Sequence, residues 1–215
     1  QHHLYTNTDL DNHFKGTEPF LAADPSMPRK ILHKISTIFF PFILLFGVVG
    51  NWTNVFCGIL KGEEKWRFSM ASQPLLYMLY FYRFGFTNEA LYPWLISGCM
   101  SIWYFTIALM NHNTNHTLKY YIGRDWGETQ LSKCSDIGVG LNFIQSWRYL
   151  WLNFHTVHHL FPTTDMSKHP LIQKILIEVA KKHNVKYNCP TFSDALYQTV
   201  INMWRPLRVE IEKDE

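Results

Sequence analysis

Residues 90–116 read ALYPWLISGCMSIWYFTIALMNHNTNH, and they decide the fold because a long uncharged stretch leads directly into a polar segment with two histidines. Between Glu89 and His112 lie 22 residues without a charged side chain. A helix needs about 20 apolar residues to cross the hydrocarbon core of a bilayer. The stretch is therefore long enough to span a membrane, and it delivers the chain to His112 and His116.

Two other stretches lack charge. Between Lys34 and Lys61 lie 26 uncharged residues, and between Arg67 and Arg83 lie 15. The first is long enough to cross with a kink or tilt at its proline, whereas the second is short and its tyrosines are typical of a membrane interface. We therefore predict spans at about 35–60 and 90–110 and an interfacial segment at about 68–86.

A second histidine group lies in residues 153–162, which read NFHTVHHLFP. His155, His158 and His159 occupy positions i, i+3 and i+4, which share one face of a helix. Neutral imidazole is the commonest protein ligand for iron, zinc or copper. This face predicts a metal site, the alternative being three surface histidines without a common role.

His2 and His3 form a third group near the start of the chain. If they share one site with His112 and the later cluster, the chain must cross the membrane an even number of times between residues 3 and 112, and two spans satisfy this. Residues 113–154 contain no apolar run of spanning length. The predicted fold is all-α, a membrane helical bundle whose helical cap carries a histidine-rich dimetal site. The cap is assigned to residues 1–34 and 111–215.

Composition excludes other classes of protein. The 215 residues suit one domain. Because the net charge is only +3 and the basic residues are scattered, no nucleic-acid partner is predicted. The four cysteines form no C-x-x-C pair, so neither a thiolate metal site nor a disulfide framework is indicated. Two helices in the cap are predicted, one beginning at Pro170 and one with Ser193 as its N-cap.

Ligation by imidazole alone leaves zinc, copper or iron open. Six or seven histidines exceed the three or four of a single zinc site, so two ions are predicted. Other side chains have smaller expected roles. Four carboxylates are candidates to orient the ligand rings, with solvated loop positions as the alternative: Asp125, Glu128, Asp136 and Asp165. Four isolated histidines are expected to face solvent: His13, His33, His169 and His183.

Several motifs resemble those of the membrane fatty acid desaturases. Residues 1–7, QHHLYTN, look like the tail of an H-x-x-H-H box, and residues 110–113, MNHN, look like the Asn-His element after the last span. Residues 141–162 resemble the final histidine box. The flanking GRDW at 123–126 and HLFP at 159–162 are most similar to front-end desaturases, which act on acyl-lipid or acyl-CoA substrates. The resemblance covers nearly the whole chain.

The resemblance implies a site, cofactors and partners. It makes six histidines metal ligands, with His116 as a possible further one: His2, His3, His112, His155, His158 and His159. It implies a non-haem centre of two iron ions, which uses O2 and electrons from a cytochrome b5-type donor to introduce a double bond into a fatty acyl chain. It also implies a multi-pass protein of the endoplasmic reticulum membrane with its metal site facing the cytosol. Trp147, Trp151 and Phe154 are candidate walls of the acyl tunnel, with plain core packing as the alternative.

The chain departs from the family pattern in two places. The first box, H-x-x-x-H, and the leading histidine of the second box are absent. We therefore expect the start to be a cut through a longer protein, which puts activity of this polypeptide by itself in doubt. In addition, front-end members usually carry Gln where His155 stands.

Three other functions compete with desaturation. A membrane lipid hydroxylase on the same scaffold would share every histidine and differ in its product. A zinc transporter would place histidines within the spans, along a path through the bilayer, whereas here they follow the spans. A non-catalytic membrane scaffold is the third alternative.

Overall fold

The computed structural model describes residues 2–4, 6, 7, 11, 21, 30–63, 65–85, 87–117 and 125–205. Within these residues every regular element is helical, which confirms the predicted all-α fold. The chain forms two compact units. The apolar unit comprises Phe40–Phe105, and the histidine unit comprises Gln1–Phe39 together with Thr106–Glu215.

Nine α-helices and five short 3-10 turns make up the described part of the chain. The helices are α1 Ile31–Ile38, α2 Phe40–Leu45, α3 Gly47–Leu60, α4 Ser72–Phe84, α5 Tyr92–His112, α6 Trp126–Lys133, α7 His155–Leu160, α8 His169–Lys182 and α9 Phe192–Trp204. The 3-10 turns are Phe68–Ala71, Asn88–Leu91, Gln145–Tyr149, Leu152–Phe154 and Met166–Lys168.

The predicted span at 35–60 is divided into three helices, with breaks at Phe39 and Phe46. Pro41 is the second residue of α2, a position at which proline is tolerated because its missing N–H would have no helical partner. Near the second break, the Ser101 hydroxyl donates to the Leu44 carbonyl at 2.5 Å. None of the three helices alone has the length of a span.

Helix α5 covers the predicted span at 90–110. Within the described residues it is the one helix that is long and apolar enough to cross a membrane. Two glycines allow close packing around it inside the apolar unit: a Cβ on Gly47 would lie 2.7 Å from the Phe105 ring, and one on Gly98 would lie 2.5 Å from Leu45. Small residues at such contacts let helix backbones approach each other in a membrane.

The last turns of α5 enter the histidine unit and are fixed there by a small apolar core. Ile107 and Met110 are fully buried against Ile137 and Ala195 of α9. The burial of Met110 fixes the rotation of the helix, and His112 is the last residue of α5. Packing of the core therefore decides where the His112 ring points.

Helices α8 and α9 begin close to where the sequence predicts. Pro170 lies in the first turn of α8. Helix α9 begins at Phe192, and its N-cap is Thr191, whose hydroxyl accepts from the Asp194 N–H at 3.2 Å. The prediction of Ser193 as the cap was therefore wrong by two residues, because the threonine hydroxyl satisfies the same kind of free N–H earlier in the chain.

Candidate metal centre

Four histidines from three separate segments converge inside the histidine unit. His2 lies in a turn near the start of the chain, His112 ends α5, and His155 and His159 lie one turn apart on α7. One ring nitrogen from each lies within 4.8 Å of the corresponding nitrogen of every other. Residues separated by more than one hundred positions thus present their nitrogens to one point.

The spacing of these nitrogens suits a shared metal ion. His112 Nε2 lies 2.6 Å from His155 Nε2 and 3.2 Å from His2 Nε2, and His155 Nε2 lies 3.1 Å from His159 Nε2. Nitrogens bound to one ion at about 2.1 Å lie about 3.4 Å apart in a tetrahedral site and about 3 Å apart in adjacent octahedral positions. The donor set therefore fits a first-row transition metal, for which imidazole is a favoured ligand.

The outward-facing nitrogens of two rings have acceptors behind them. His2 Nδ1 lies 2.8 and 3.0 Å from the two carboxylate oxygens of Asp11, which is fully buried, and His112 Nδ1 lies 3.3 Å from the Lys133 carbonyl oxygen. An acceptor at Nδ1 retains the ring proton there and leaves the Nε2 lone pair free to bind a metal. This assignment of the proton follows from the acceptors.

A buried side-chain amide provides an acceptor at Nδ1 of a third ring, that of His159. Gln130, on α6, places Oε1 3.1 Å from His159 Nδ1. The same oxygen lies 2.9 Å from the hydroxyl of Thr6, which is also 2.7 Å from the His2 carbonyl oxygen. Thr6 and Gln130 therefore connect the first residues of the chain to α6 and α7 at the edge of the cluster.

Burial favours the neutral form of the two rings on α7. Burial lowers the pKa of His155 and His159 well below the ordinary value for histidine, and the neighbouring imidazoles lower both further. Neutral imidazole is the form that binds metals. His155 and His159 therefore present the form of imidazole that a metal ion binds.

His3 and His158 lie beside the four converging histidines. Their ring centroids are 4.6 Å apart, and the His3 ring is also 4.6 Å from that of His159. They are outside the group of four nitrogens, as is His116, which is partly buried in the turn after α5. All six histidines predicted as ligands thus lie in one continuous cluster of rings.

The predicted tunnel aromatics lie in different environments. Phe154 is fully buried next to His155, Trp151 is half-buried, and Trp147 is 66% exposed. Trp151 Nε1 donates to the Phe143 carbonyl at 2.8 Å. The assignment of these side chains to a tunnel stays a prediction.

The isolated histidines divide into two groups. His183 is exposed, as expected, but His33 and His169 are buried, so the expectation that they face solvent was wrong for both. The His33 ring accepts from the Lys30 N–H at 3.3 Å, a contact that the sequence did not predict. His13 lies outside the described residues.

Two of the predicted carboxylates cap helical turns, and sequence reasoning missed two groups that contact the rings. Asp125 accepts from the Glu128 N–H at 2.8 Å and caps α6. Asp165 accepts from the Ser167 N–H and caps the turn before α8. Asp11 and Gln130 were missed, since neither has a sequence spacing that links it to a histidine.

The fold and the site together define a helical protein with a cluster of histidines whose donor atoms are compatible with a metal site. Residues 1–191 match the model of the fatty acid desaturase family, and the chain belongs to that family. The resemblance stated from the histidine motifs is thereby confirmed. The family is membrane-bound, which agrees with the length and composition of α5.

Three relatives with curated functions, described next, are named as desaturases. Delta(5) fatty acid desaturase A of Dictyostelium discoideum is 26% identical over 239 residues, covering 95% of this chain and 50% of the relative. Acyl-lipid (8-3)-desaturase B of the same organism is 25% identical over 235 residues, covering 91% and 49%. Acyl-lipid (9-3)-desaturase of Borago officinalis is 30% identical over 124 residues, covering 51% and 28%.

The chain spans about half the length of the first two relatives. No solved structure matches it.

Proposed function

We propose that the protein is a membrane fatty acid desaturase that introduces a double bond into an acyl chain with O2 and two electrons. The observation that carries this proposal is the convergence of His2, His112, His155 and His159 on one point in a chain of the desaturase family. The hydroxylase and zinc-transporter alternatives are not favoured, because the relatives described above are named as desaturases.

The metal is proposed to be a pair of iron ions. The four converging histidines would hold one ion, and His3 and His158, whose rings adjoin them, would contribute to the second. When bound, the iron pair supplies the oxygen chemistry that removes two hydrogens from adjacent carbons of the acyl chain. His116 lies outside the proposed ligand set.

The protein's own contribution is to orient the ligands and to exclude water. Asp11, Gln130 and the Lys133 carbonyl hold the Nδ1 protons of three rings, so that each Nε2 faces the metal position. Burial of His155 and His159 keeps solvent away from the side of the site formed by α7. Oriented ligands in a dry site are what oxygen activation at a carbon chain requires.

The substrate is proposed to be an acyl-lipid or acyl-CoA that already carries a double bond, with the new one inserted toward the carboxyl end. The named relatives and the motifs at 123–126 and 159–162 support this front-end specificity. Phe154 and Trp151 are proposed walls of the acyl tunnel, and the exposed Trp147 suits its entrance. A cytochrome b5-type protein is the proposed electron donor.

The proposed location is the endoplasmic reticulum membrane, crossed more than once, with the histidine cluster on the cytosolic side. The support is the membrane-bound family and the apolar helix that ends at His112. Cytosolic placement would give a cytochrome b5-type donor access to the site.

Expression of the complete reading frame in yeast, followed by mass spectrometry of the fatty acids, tests the activity. We expect a new unsaturated fatty acid, its loss in His112→Ala, and its retention in His183→Ala, because His183 is exposed and outside the cluster. A hydroxylated product in place of an unsaturated one would overturn the proposal. So would a double bond that persists in His112→Ala.

A further inference from the structure

A buried carboxylate lies beside the metal centre without touching any of its rings. Asp136 is fully buried, and one of its oxygens accepts from the Thr156 N–H at 2.8 Å. The other accepts from the Gln173 side-chain amide at 2.6 Å and from the Tyr187 hydroxyl. Three donors from three separate segments therefore meet on one carboxylate.

These contacts place Asp136 between the two elements that carry the closest pair of histidines. Its neighbour Ser135 donates through its backbone N–H to the Asn111 carbonyl at 2.9 Å. Asn111 directly precedes His112, and Thr156 directly follows His155. Two consecutive residues thus hold the backbone beside each of the two histidines whose Nε2 atoms lie 2.6 Å apart.

The segment after α8 fixes Ser135 and Asp136 from the opposite side. The Asn188 carbonyl accepts from the Asp136 N–H at 3.0 Å, and the Asn188 amide donates to the Ser135 hydroxyl. Tyr187, the preceding residue, donates to the Asp136 side chain. Tyr187 and Asn188 therefore help to fix the position of Ser135 and Asp136.

The hydrogen bonds to the Asp136 carboxylate favour the observed position of α7. Burial raises the pKa of Asp136, while the hydrogen bonds from Tyr187, Gln173 and Thr156 lower it. A buried carboxylate is tolerated only where donors surround it, and its removal leaves those donors buried without an acceptor. A small shift of α7 relative to the end of α5 would break the contact with Thr156.

We propose that Asp136 is a positioning residue of the metal centre, which, with Tyr187, holds α7 against the end of α5 and so sets the spacing of His155 and His112. The inference rests on the proposed function only in that these histidines bind metal. Asp136 itself touches neither metal nor substrate. Its effect is exerted through the backbone of Thr156.

Cobalt(II) is the probe, because its visible absorption reports the geometry of its ligands. The complete protein is purified in lipid nanodiscs, and cobalt affinity, absorption spectrum and thermal unfolding are measured for each variant. Asp136→Ala is expected to weaken cobalt binding about ten-fold or more, in the range found when supporting partners of metal ligands are lost, and to shift the spectrum. Tyr187→Phe, which removes one donor, is expected to give a smaller shift in the same direction.

Two further variants separate positioning from general stability. Asp136→Asn retains an oxygen for the Thr156 N–H but turns an NH2 group toward Gln173 and Tyr187, so it is expected to shift the spectrum less than Asp136→Ala. Asp194 is exposed and accepts from the Thr191 hydroxyl at 2.6 Å, within the first turn of α9. Asp194→Ala is therefore expected to leave the cobalt spectrum unchanged even if it lowers the unfolding temperature.

Wild-type cobalt affinity and spectrum in folded Asp136→Ala would overturn the inference, as would an equal shift in Asp194→Ala. If Asp136→Ala does not fold, Tyr187→Phe decides, and an unaltered spectrum in that variant overturns it. The absence of cobalt binding in the wild-type protein would overturn the metal centre and this inference together. Wild-type binding and desaturation that survive loss of Asp136 would overturn this inference alone.

Discussion

The apolar unit and the histidine unit differ most in the kind of side chain that they bury. In the apolar unit large hydrophobic side chains face outward, with Phe42 67% exposed, Leu60 72% and Met78 65%. In the histidine unit polar side chains fill the interior, where Gln130, Asn113 and others are completely buried. A large exposed apolar surface marks a site of contact with a membrane or with another protein.

The difference shows that each unit is built for its own solvent and task. Lipid around the apolar unit makes outward-facing phenylalanine and leucine the favourable arrangement. The histidine unit bears the free-energy penalty of buried polar groups because those groups hold imidazoles in place. The same kind of substitution should therefore have unequal consequences in the two units.

A charge on the exposed surface of α5 gives the largest expected effect. Met100 lies near the middle of α5 and is about half exposed. A lysine at the centre of a spanning helix costs about 3 kcal/mol on insertion, roughly 100-fold. Met100→Lys is expected to reduce the protein recovered in alkali-washed yeast membranes by a large factor.

Tyr197, which is exposed on α9, is the matched position in the histidine unit. Tyr197→Lys should leave membrane recovery unchanged, because a surface substitution in water shifts stability by about 0.5 kcal/mol or less. Equal recovery of the two variants would break the comparison between the units.

Removal of a buried amide tests the interior of the histidine unit. Gln130→Ala takes away one of the two partners of His159 Nδ1 at 3.1 Å and leaves the Thr6 hydroxyl as the other, so the ring is held less firmly. Loss of such a partner typically lowers metal affinity or activity by about 10- to 100-fold. Iron content and product yield in yeast are the measurements.

Gln198→Ala is the control, since that amide accepts from the Asn115 N–H at an exposed contact. It is expected to retain wild-type iron and activity. If Gln130→Ala also retains both, the buried amide has no role in orienting the ring.

The sequence predicted the fold class and the histidine cluster because both are recorded in local patterns. An uncharged run of fixed length predicted α5, and the spacing of His155, His158 and His159 predicted a shared helical face. The sequence analysis also placed His2 and His112 in one site, a placement that requires an even number of membrane crossings between them. Their Nε2 atoms lie 3.2 Å apart, so the two rings do meet, and the number of crossings stays a prediction.

The supporting groups could not be predicted because they depend on contacts distant in sequence. Asp11 and Gln130 reach their histidines through turns whose conformation no spacing reveals. The break at Phe46 depends on packing inside the apolar unit, where the Ser101 hydroxyl bonds to the Leu44 carbonyl. Tertiary contacts of this kind override local propensity.

Glycine substitutions sharpen the comparison inside the apolar unit. A Cβ at Gly47 would lie 2.7 Å from the Phe105 ring and 2.8 Å from the Ser101 hydroxyl, whereas a Cβ at Gly50, three residues later on α3, meets nothing within 4 Å. Gly47→Ala is expected to destabilise the protein by about 1–3 kcal/mol through overpacking. Gly50→Ala should instead stabilise it by about 0.5–1 kcal/mol, since alanine is the better helix former. Thermal unfolding in detergent measures both, and an equal change at the two positions would contradict the close contact at Gly47.

The smallest expected effect concerns the start of α9, where helix capping in water replaces packing in lipid. Thr191→Ala removes the hydroxyl that accepts from the Asp194 N–H, which typically costs about 1 kcal/mol. Ser193 lies inside the helix and is exposed, so Ser193→Ala should change stability by about 0.5 kcal/mol or less. The difference in unfolding temperature between the two variants locates the cap. A larger loss of stability in Ser193→Ala than in Thr191→Ala would show that Ser193 is the N-cap, as the sequence predicts. The first turn of α9 would then begin two residues later.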